Sequence, residues 1–209
     1  MKILLATNNS HKVEEIRKIL KGFPGEILDL SSFKPVPEPV EDGSTYRDNA
    51  LIKAFYYHRL TGLPTLADDS GIEIDAFDGA PGIYSARFID PEFSFEQRNR
   101  EVLRRMKELP DSRRGACFRC CCVLVMNPDR IITEYGVLEG MIAREIQGEY
   151  GFGYDPIFYL PHRKAHLAQI PPQEKNRISH RAKAFEKMKK HLLDLFDASG
   201  KILSPGTTH

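Results

Sequence analysis

Short apolar runs alternate along this chain with segments whose apolar residues recur at helical spacing, and that alternation points to a mixed α/β architecture. "KILLAT" near the N-terminus predicts a brief strand ending in the turn-prone "NNS". The next segment, "HKVEEIRKILKG", puts Val13, Ile16 and Leu20 on one helical face, with Ser10 as the expected N-cap and Gly22 as the stop. "EILDL" predicts a second strand. The Pro-rich "SSFKPVPEPVEDGS" that follows can hardly be regular structure and reads as a hinge loop. A second helix is expected from Thr45, with Tyr46, Ala50, Ala54, Phe55 and Leu60 on its stripe and Gly62 beyond it.

Further along, "TLADDSG" and "IEIDAF" read as two short strands, the first ending at Asp68 and Asp69. Ser94-x-x-Gln97 has the capping-box pattern and opens a helix through Val102, Leu103 and Met106. Residues 116–126 and 131–137 predict a strand pair joined by "NPDR", and a last helix is expected near Ser179, with Ala182, Phe185, Met188, Leu192 and Leu195 on one face. No repeat or long linker interrupts this order. A single domain over residues 1–209 is therefore expected, with a disordered tail from residue 203.

Composition narrows the function classes. With 41% hydrophobic and 28% charged residues the chain reads as an ordinary soluble protein, and its formal charge of +1, with no long basic run, gives no case for a large nucleic-acid footprint. Its opening apolar run is too brief for a secretory segment, and no stretch approaches the roughly 18 apolar residues of a membrane span. A cytoplasmic location without membrane partners is expected. All four cysteines lie in "CFRCCC" (Cys117 and Cys120 to Cys122), and a lone Cys-x-x-Cys is only half a zinc site. Within "ACFRCCCVLVMNP" they read as small core residues of a buried strand.

Four places can carry chemistry. In "ATNNSHK" a strand, a polar turn and a helix start present backbone N–H groups at the positive end of a helix dipole, a natural phosphate seat. His11 and Lys12 put positive charge in that first turn, against the dipole, which a bound anion would reverse; a solvated lysine offset by Glu14 and Glu15 is the alternative. "EKNRISHRAKAF" repeats the pattern, with His180 and Arg181 at a helix start and Lys175 and Arg177 nearby. Glu41-Asp42 and Asp68-Asp69 supply hard oxygen ligands of the kind that suit Mg²⁺ beside phosphates, although acidic loops are common. "GEYGFGYDPIFYLP" surrounds aromatic residues with Gly148, Gly151 and Gly153, a setting for stacking on a flat base or for anchoring a turn.

Taken in order, "ATNNSHKVEEI", "EDGSTYRDNALIKA", "ADDSGIEIDAFDGAPGIYSARF", "GFGYDPIF" and "EKNRISHRAKAF" resemble the blocks of the inosine triphosphate pyrophosphatase family, whose bacterial members are the XTP/dITP pyrophosphatases. The likeness runs from residue 3 to about residue 188. It implies an elongated mixed β-sheet with flanking helices, two lobes around a central nucleotide cleft, a homodimer, Mg²⁺, and hydrolysis of ITP, dITP and XTP to monophosphate and pyrophosphate. By motif position, Thr7, Asn8, Asn9, Ser10, His11 and Lys12 would hold the triphosphate. Glu41 and Asp69 would bind metal, Asp69 would also accept a proton, and Ser70 would touch substrate. Phe152, Gly153, Tyr154, Asp155, Lys175, His180 and Arg181 would form the base pocket. One departure stands out: Asn8 replaces the glycine of many relatives, and asparagine tolerates a left-handed turn better than most residues.

Overall fold

The computed structural model describes residues 1–202, with side chains to residue 198; the expected tail from residue 203 lies outside the described residues. Seven strands form one mixed sheet in the order β2-β1-β3-β4-β5-β6-β7. β1 (Lys2–Leu5) pairs parallel with β2 (Glu26–Asp29) and with β3 (Thr65–Ile74), and the remaining neighbours are antiparallel. β4 (Gly115–Asn127) and β5 (Arg130–Ile142) form the expected hairpin, and β6 (Phe158–Leu160) and β7 (Ala165–His166) complete the edge. Ile3, Leu4 and Leu5 are all buried, as befits a parallel strand covered on both faces.

Helices cover both faces. α1 (Ser10–Ile19) is capped by Asn9, whose side chain accepts from the Lys12 N–H at 3.1 Å, so the cap is one residue earlier than Ser10. The helix ends at Ile19, and Gly22 lies in the turn beyond, with φ +92°. α2 (Tyr46–Thr61) begins at Thr45 as expected and ends on left-handed Gly62. Its buried face is Ala50, Ala54 and Tyr57, whereas Leu60 points out, 54% exposed. The Ser94–Gln97 capping box opens α3 (Phe95–Arg105). α4 (Pro172–Ile178) is a short helix that the apolar pattern does not announce. It abuts α5 (His180–Ile202), which Ser179 caps by accepting from the Ala182 N–H at 3.0 Å.

The largest departure from expectation concerns the paired aspartates. β3 is one ten-residue strand, with Asp68 and Asp69 inside it rather than at its end. Asp, Ser and Gly have weak strand propensity, but unbroken pairing with β4 from Thr65↔Val125 to Ile74↔Ala116 overrides it. Gly71 is required by close packing, since a Cβ there would lie 2.2 Å from the Gly82 carbonyl oxygen.

Period-two alternation along β3 and β4 divides the core. Leu66, Cys120, Cys122 and Leu124 pack with α1 and α5, while Ala67, Cys121, Val123 and Val125 pack with α2. A third cluster, including Ile72, Ile74, Phe118, Val102 and Phe158, gathers around α3 and the far end of the hairpin. Cys120, Cys121 and Cys122 are therefore buried core thiols, and no group of three or more His, Cys, Asp or Glu suited to a metal occurs among the described residues. No described helix is long and apolar enough to cross a membrane.

Candidate active site

A cavity of about 510 Å³ opens between the β1–α1 turn, the Pro-rich loop, the middle of β3, the glycine-rich loop before β6 and the α4–α5 junction. That volume suits a small organic ligand. Thr7, Asn8, Asn9 and Lys12 line one wall. The Asn9 N–H donates to Thr7 Oγ1 at 3.2 Å, and the Asn8 side chain donates to Glu38 Oε1 at 2.6 Å, tying the turn to the Pro-rich loop. Among the described non-glycine residues only Asp78, Ile89 and Lys164 have positive φ, so the turn does not use a left-handed Asn8.

The two aspartates part company because adjacent strand residues face opposite ways. Asp68 Oδ2 lies 3.0 Å from Lys12 Nζ and 3.5 Å from the Arg181 guanidinium, and the Cys120 thiol donates to it at 3.9 Å. Burial alone would raise the Asp68 pKa, but Lys12, Arg181 and Lys53 together hold the carboxyl well below the usual carboxylate range. Asp68 Oδ1 is buried without a hydrogen-bond partner.

Asp69 turns toward α2 and the cavity. Its Oδ2 accepts from Asn49 Nδ2 at 3.1 Å, and its Oδ1 accepts from the Ser70 N–H at 2.9 Å and lies 3.9 Å from Lys53 Nζ. Here burial wins, raising the Asp69 pKa against the pull of Lys53, Lys12 and Asn49. Glu41 Oε2 sits 2.8 Å from the same Lys53 ammonium, so Glu41 and Asp69 converge on one cation. Asn49 also accepts from the Gly43 N–H at 2.9 Å, which fastens the loop carrying Glu41 to the strand carrying Asp69.

The opposite wall comes from the glycine-rich loop, the last turn of α4 and the start of α5. Asp155 Oδ2 accepts from the Phe152 N–H at 2.9 Å and pairs with Lys175 Nζ at 2.6 Å. Lys175 also meets Glu15 at 2.9 Å, and Arg181 meets Glu15 at 2.6 Å and donates to Ser70 Oγ at 2.9 Å. Burial opposes the Lys175 charge, but Asp155 and Glu15 outweigh it and raise its pKa. His180 differs from expectation: it adds no positive charge to its helix start. Burial, with Arg181 and Lys175 beside it, pushes its pKa well down, and the neutral ring stacks on Phe118 at 4.7 Å with Nδ1 unpartnered. Tyr154 is buried and its hydroxyl donates to the Ser85 carbonyl at 2.8 Å, which anchors the loop.

Thus Thr7, Asn8, Asn9, Lys12, Glu41, Asp69, Ser70, Phe152, Gly153, Tyr154, Asp155, Lys175, His180 and Arg181 all line one cavity. Ser10 and His11 are not among the lining residues, and His11 instead stacks on Phe152. Sequence reasoning missed three organising residues. Asn49 and Lys53 are four apart on the buried face of α2, where polar residues beside Ala50 and Ala54 signal a task other than packing. Glu15 looked like a dipole-offsetting carboxylate, yet it joins Lys175 to Arg181.

The sequence pattern of the Ham1 family matches residues 3–191. A dITP/XTP pyrophosphatase of Desulforamulus reducens is 44% identical over 187 residues, covering 90% of this chain and 93% of its own. A dITP/XTP pyrophosphatase of Thioalkalivibrio sulfidiphilus is 46% identical, covering 88% and 94%. Among solved structures, a HAM1 protein from Coxiella burnetii superposes with a TM-score of 0.85 at 41% identity, covering 93% of this chain and 99% of that one.

Proposed function

This chain belongs to the Ham1 family, and on that footing we propose that it hydrolyses the non-standard purine nucleoside triphosphates ITP, dITP and XTP to monophosphate and pyrophosphate. The observation that carries the reading is the meeting, in one cavity, of the Thr7–Lys12 turn, the Glu41–Asp69 pair and the Phe152–Lys175–Arg181 wall.

The charges of these walls bear on the cofactor. In the ion pairs of the site, four cations (Lys12, Lys53, Lys175, Arg181) face five carboxylates (Glu15, Glu41, Asp68, Asp69, Asp155). These cations are thus already partnered by carboxylates, so a divalent cation suits the entry of a triphosphate. Glu41 and Asp69 fit that cation: both offer hard oxygens and both already turn toward one ammonium. Bound there, Mg²⁺ supplies stabilisation of charge on the phosphate oxygens and a lowered pKa for an attacking water.

The chain's own residues do the rest. Thr7, Asn8, Asn9 and Lys12 hold the phosphates at the positive end of α1. Asp69, oriented by Asn49, accepts a proton from the water that attacks the α-phosphorus as pyrophosphate leaves. Phe152 offers the base a flat wall. Lys175 keeps a third N–H beyond those facing Glu15 and Asp155, and the Arg181 guanidinium belongs to the same wall. Donors of this kind match a 6-oxo purine and confront the amino group of adenine with another donor.

The same proposal takes the whole chain as one domain acting as a cytoplasmic homodimer without nucleic-acid or membrane partners, supported by kinship, by the charge of +1 and by four cysteines free of disulfides. Sedimentation tests the dimer. The activity is tested by incubating the protein with Mg²⁺ and ITP, dITP, XTP, ATP or GTP and assaying products. Pyrophosphate from the first three, far faster than from ATP or GTP, is expected; free phosphate or no turnover would reject the proposal.

A further inference from the structure

Phe152 lies between Gly151 and Gly153, both at positive φ (+78° and +69°), so its backbone neighbours constrain the ring little. Packing decides where it points. Its parallel partner is His11 of α1, with ring centroids 5.2 Å apart and planes 16° from coplanar. Phe152 lines the cavity and His11 does not, while Lys175 Nζ and the Arg181 guanidinium, which do, lie 5.0 and 5.7 Å from the Phe152 centroid. The ring is thus fixed by an aromatic neighbour outside the cavity lining and by two cations within it.

We propose that His11 is a positioning residue for the nucleobase, acting as a flat ring that sets Phe152 in place and not as a ligand of the phosphates. The inference rests on the pyrophosphatase reading of the cleft and narrows it, because it moves one residue of the β1–α1 turn from the phosphate side to the base side. What position 11 requires is then planarity. An aromatic hydrocarbon ring should serve there, and a polar side chain of similar reach should not.

The test compares wild type with His11→Ala, His11→Phe and His11→Gln, using pyrophosphate release from dITP with Mg²⁺. His11→Ala should raise KM about twofold to tenfold, the usual worth of one aromatic pair, with a much smaller change in kcat. His11→Phe should bring KM back toward wild type, and His11→Gln should behave like alanine. Inhibition by inosine monophosphate should weaken in His11→Ala by the same factor, while inhibition by pyrophosphate, which has no base, should hold. Rescue by Gln but not Phe, an unchanged KM in His11→Ala, or equal weakening of both inhibitors would overturn the proposal. Should wild type release no pyrophosphate from dITP, the activity reading fails instead, and calorimetric affinities of the variants for inosine monophosphate still decide the stack.

Discussion

On the α5 side of β3, the Asp68 side chain is fully buried among Lys12, Arg181 and Cys120; on the α2 side, Asp69 is 12% exposed and shares the cavity wall with Asn49, Lys53 and Glu41. The residues are chemically identical and adjacent. Strand alternation separates their carboxylates, and their surroundings then push the two pKa values apart, Asp68 down through its cations and Asp69 up through burial. The difference teaches a division of labour. Asp68 is held between Lys12 and Arg181, whereas Asp69 lines the cavity, where the proposed reaction gives it a proton or a metal.

That division is most sharply tested at Asp69. Asp69→Asn should lower kcat for dITP by about 10²- to 10⁴-fold, the usual span for a lost general base. Its thermal midpoint should not fall, because the folded state gains little from that charge. Asp68→Asn should show the converse emphasis, losing about 3–5 kcal/mol in urea unfolding as a buried ion-pair partner disappears. Equal stability losses in the two variants would break the comparison.

Arg181→Ala should narrow the preference for dITP over dATP by about tenfold, the scale of one charged hydrogen bond, as read from the ratio of kcat/KM values. An unchanged ratio would remove Arg181 from base choice and leave it only as Asp68's partner. The smallest effect concerns pH. His180, on the Asp68 side, is held neutral, so its folded pKa lies below its unfolded one. The unfolded chain alone takes up the proton as pH falls through about 6.5, and stability drops there by at most about 1.4 kcal/mol per further pH unit. His180→Gln should flatten that part of the stability curve; an identical slope would mean that the His180 side of the site is wetter than its burial implies.

Much of this was legible beforehand, for identifiable reasons. Apolar periodicity located β1, α2, the β4–β5 hairpin and α5, and the capping-box pattern located the start of α3. It failed at β3, where ten pairs with β4 override weak local propensity, and at α4, whose seven residues carry no apolar stripe. Lys12, Lys175, Arg181 and the paired aspartates stood out as charges out of place, whereas the turn residues and Phe152 to Asp155 were marked by the family resemblance. Their partners were not legible: Glu15, Asn49 and Lys53 become meaningful only once α1 meets α5 and α2 covers β3.

The most direct test is a crystal of the Asp69→Asn protein and of wild type, each with a non-hydrolysable α,β-methylene analogue of dITP and Mn²⁺, read by manganese anomalous scattering. The wild-type manganese peak should lie on Glu41 and Asp69, with the base against Phe152 and the phosphates against Thr7, Asn8, Asn9 and Lys12, and it should weaken in the variant. A manganese ion bonded to Asp68 in preference to Asp69, or a nucleotide lying outside this cavity, would contradict the account.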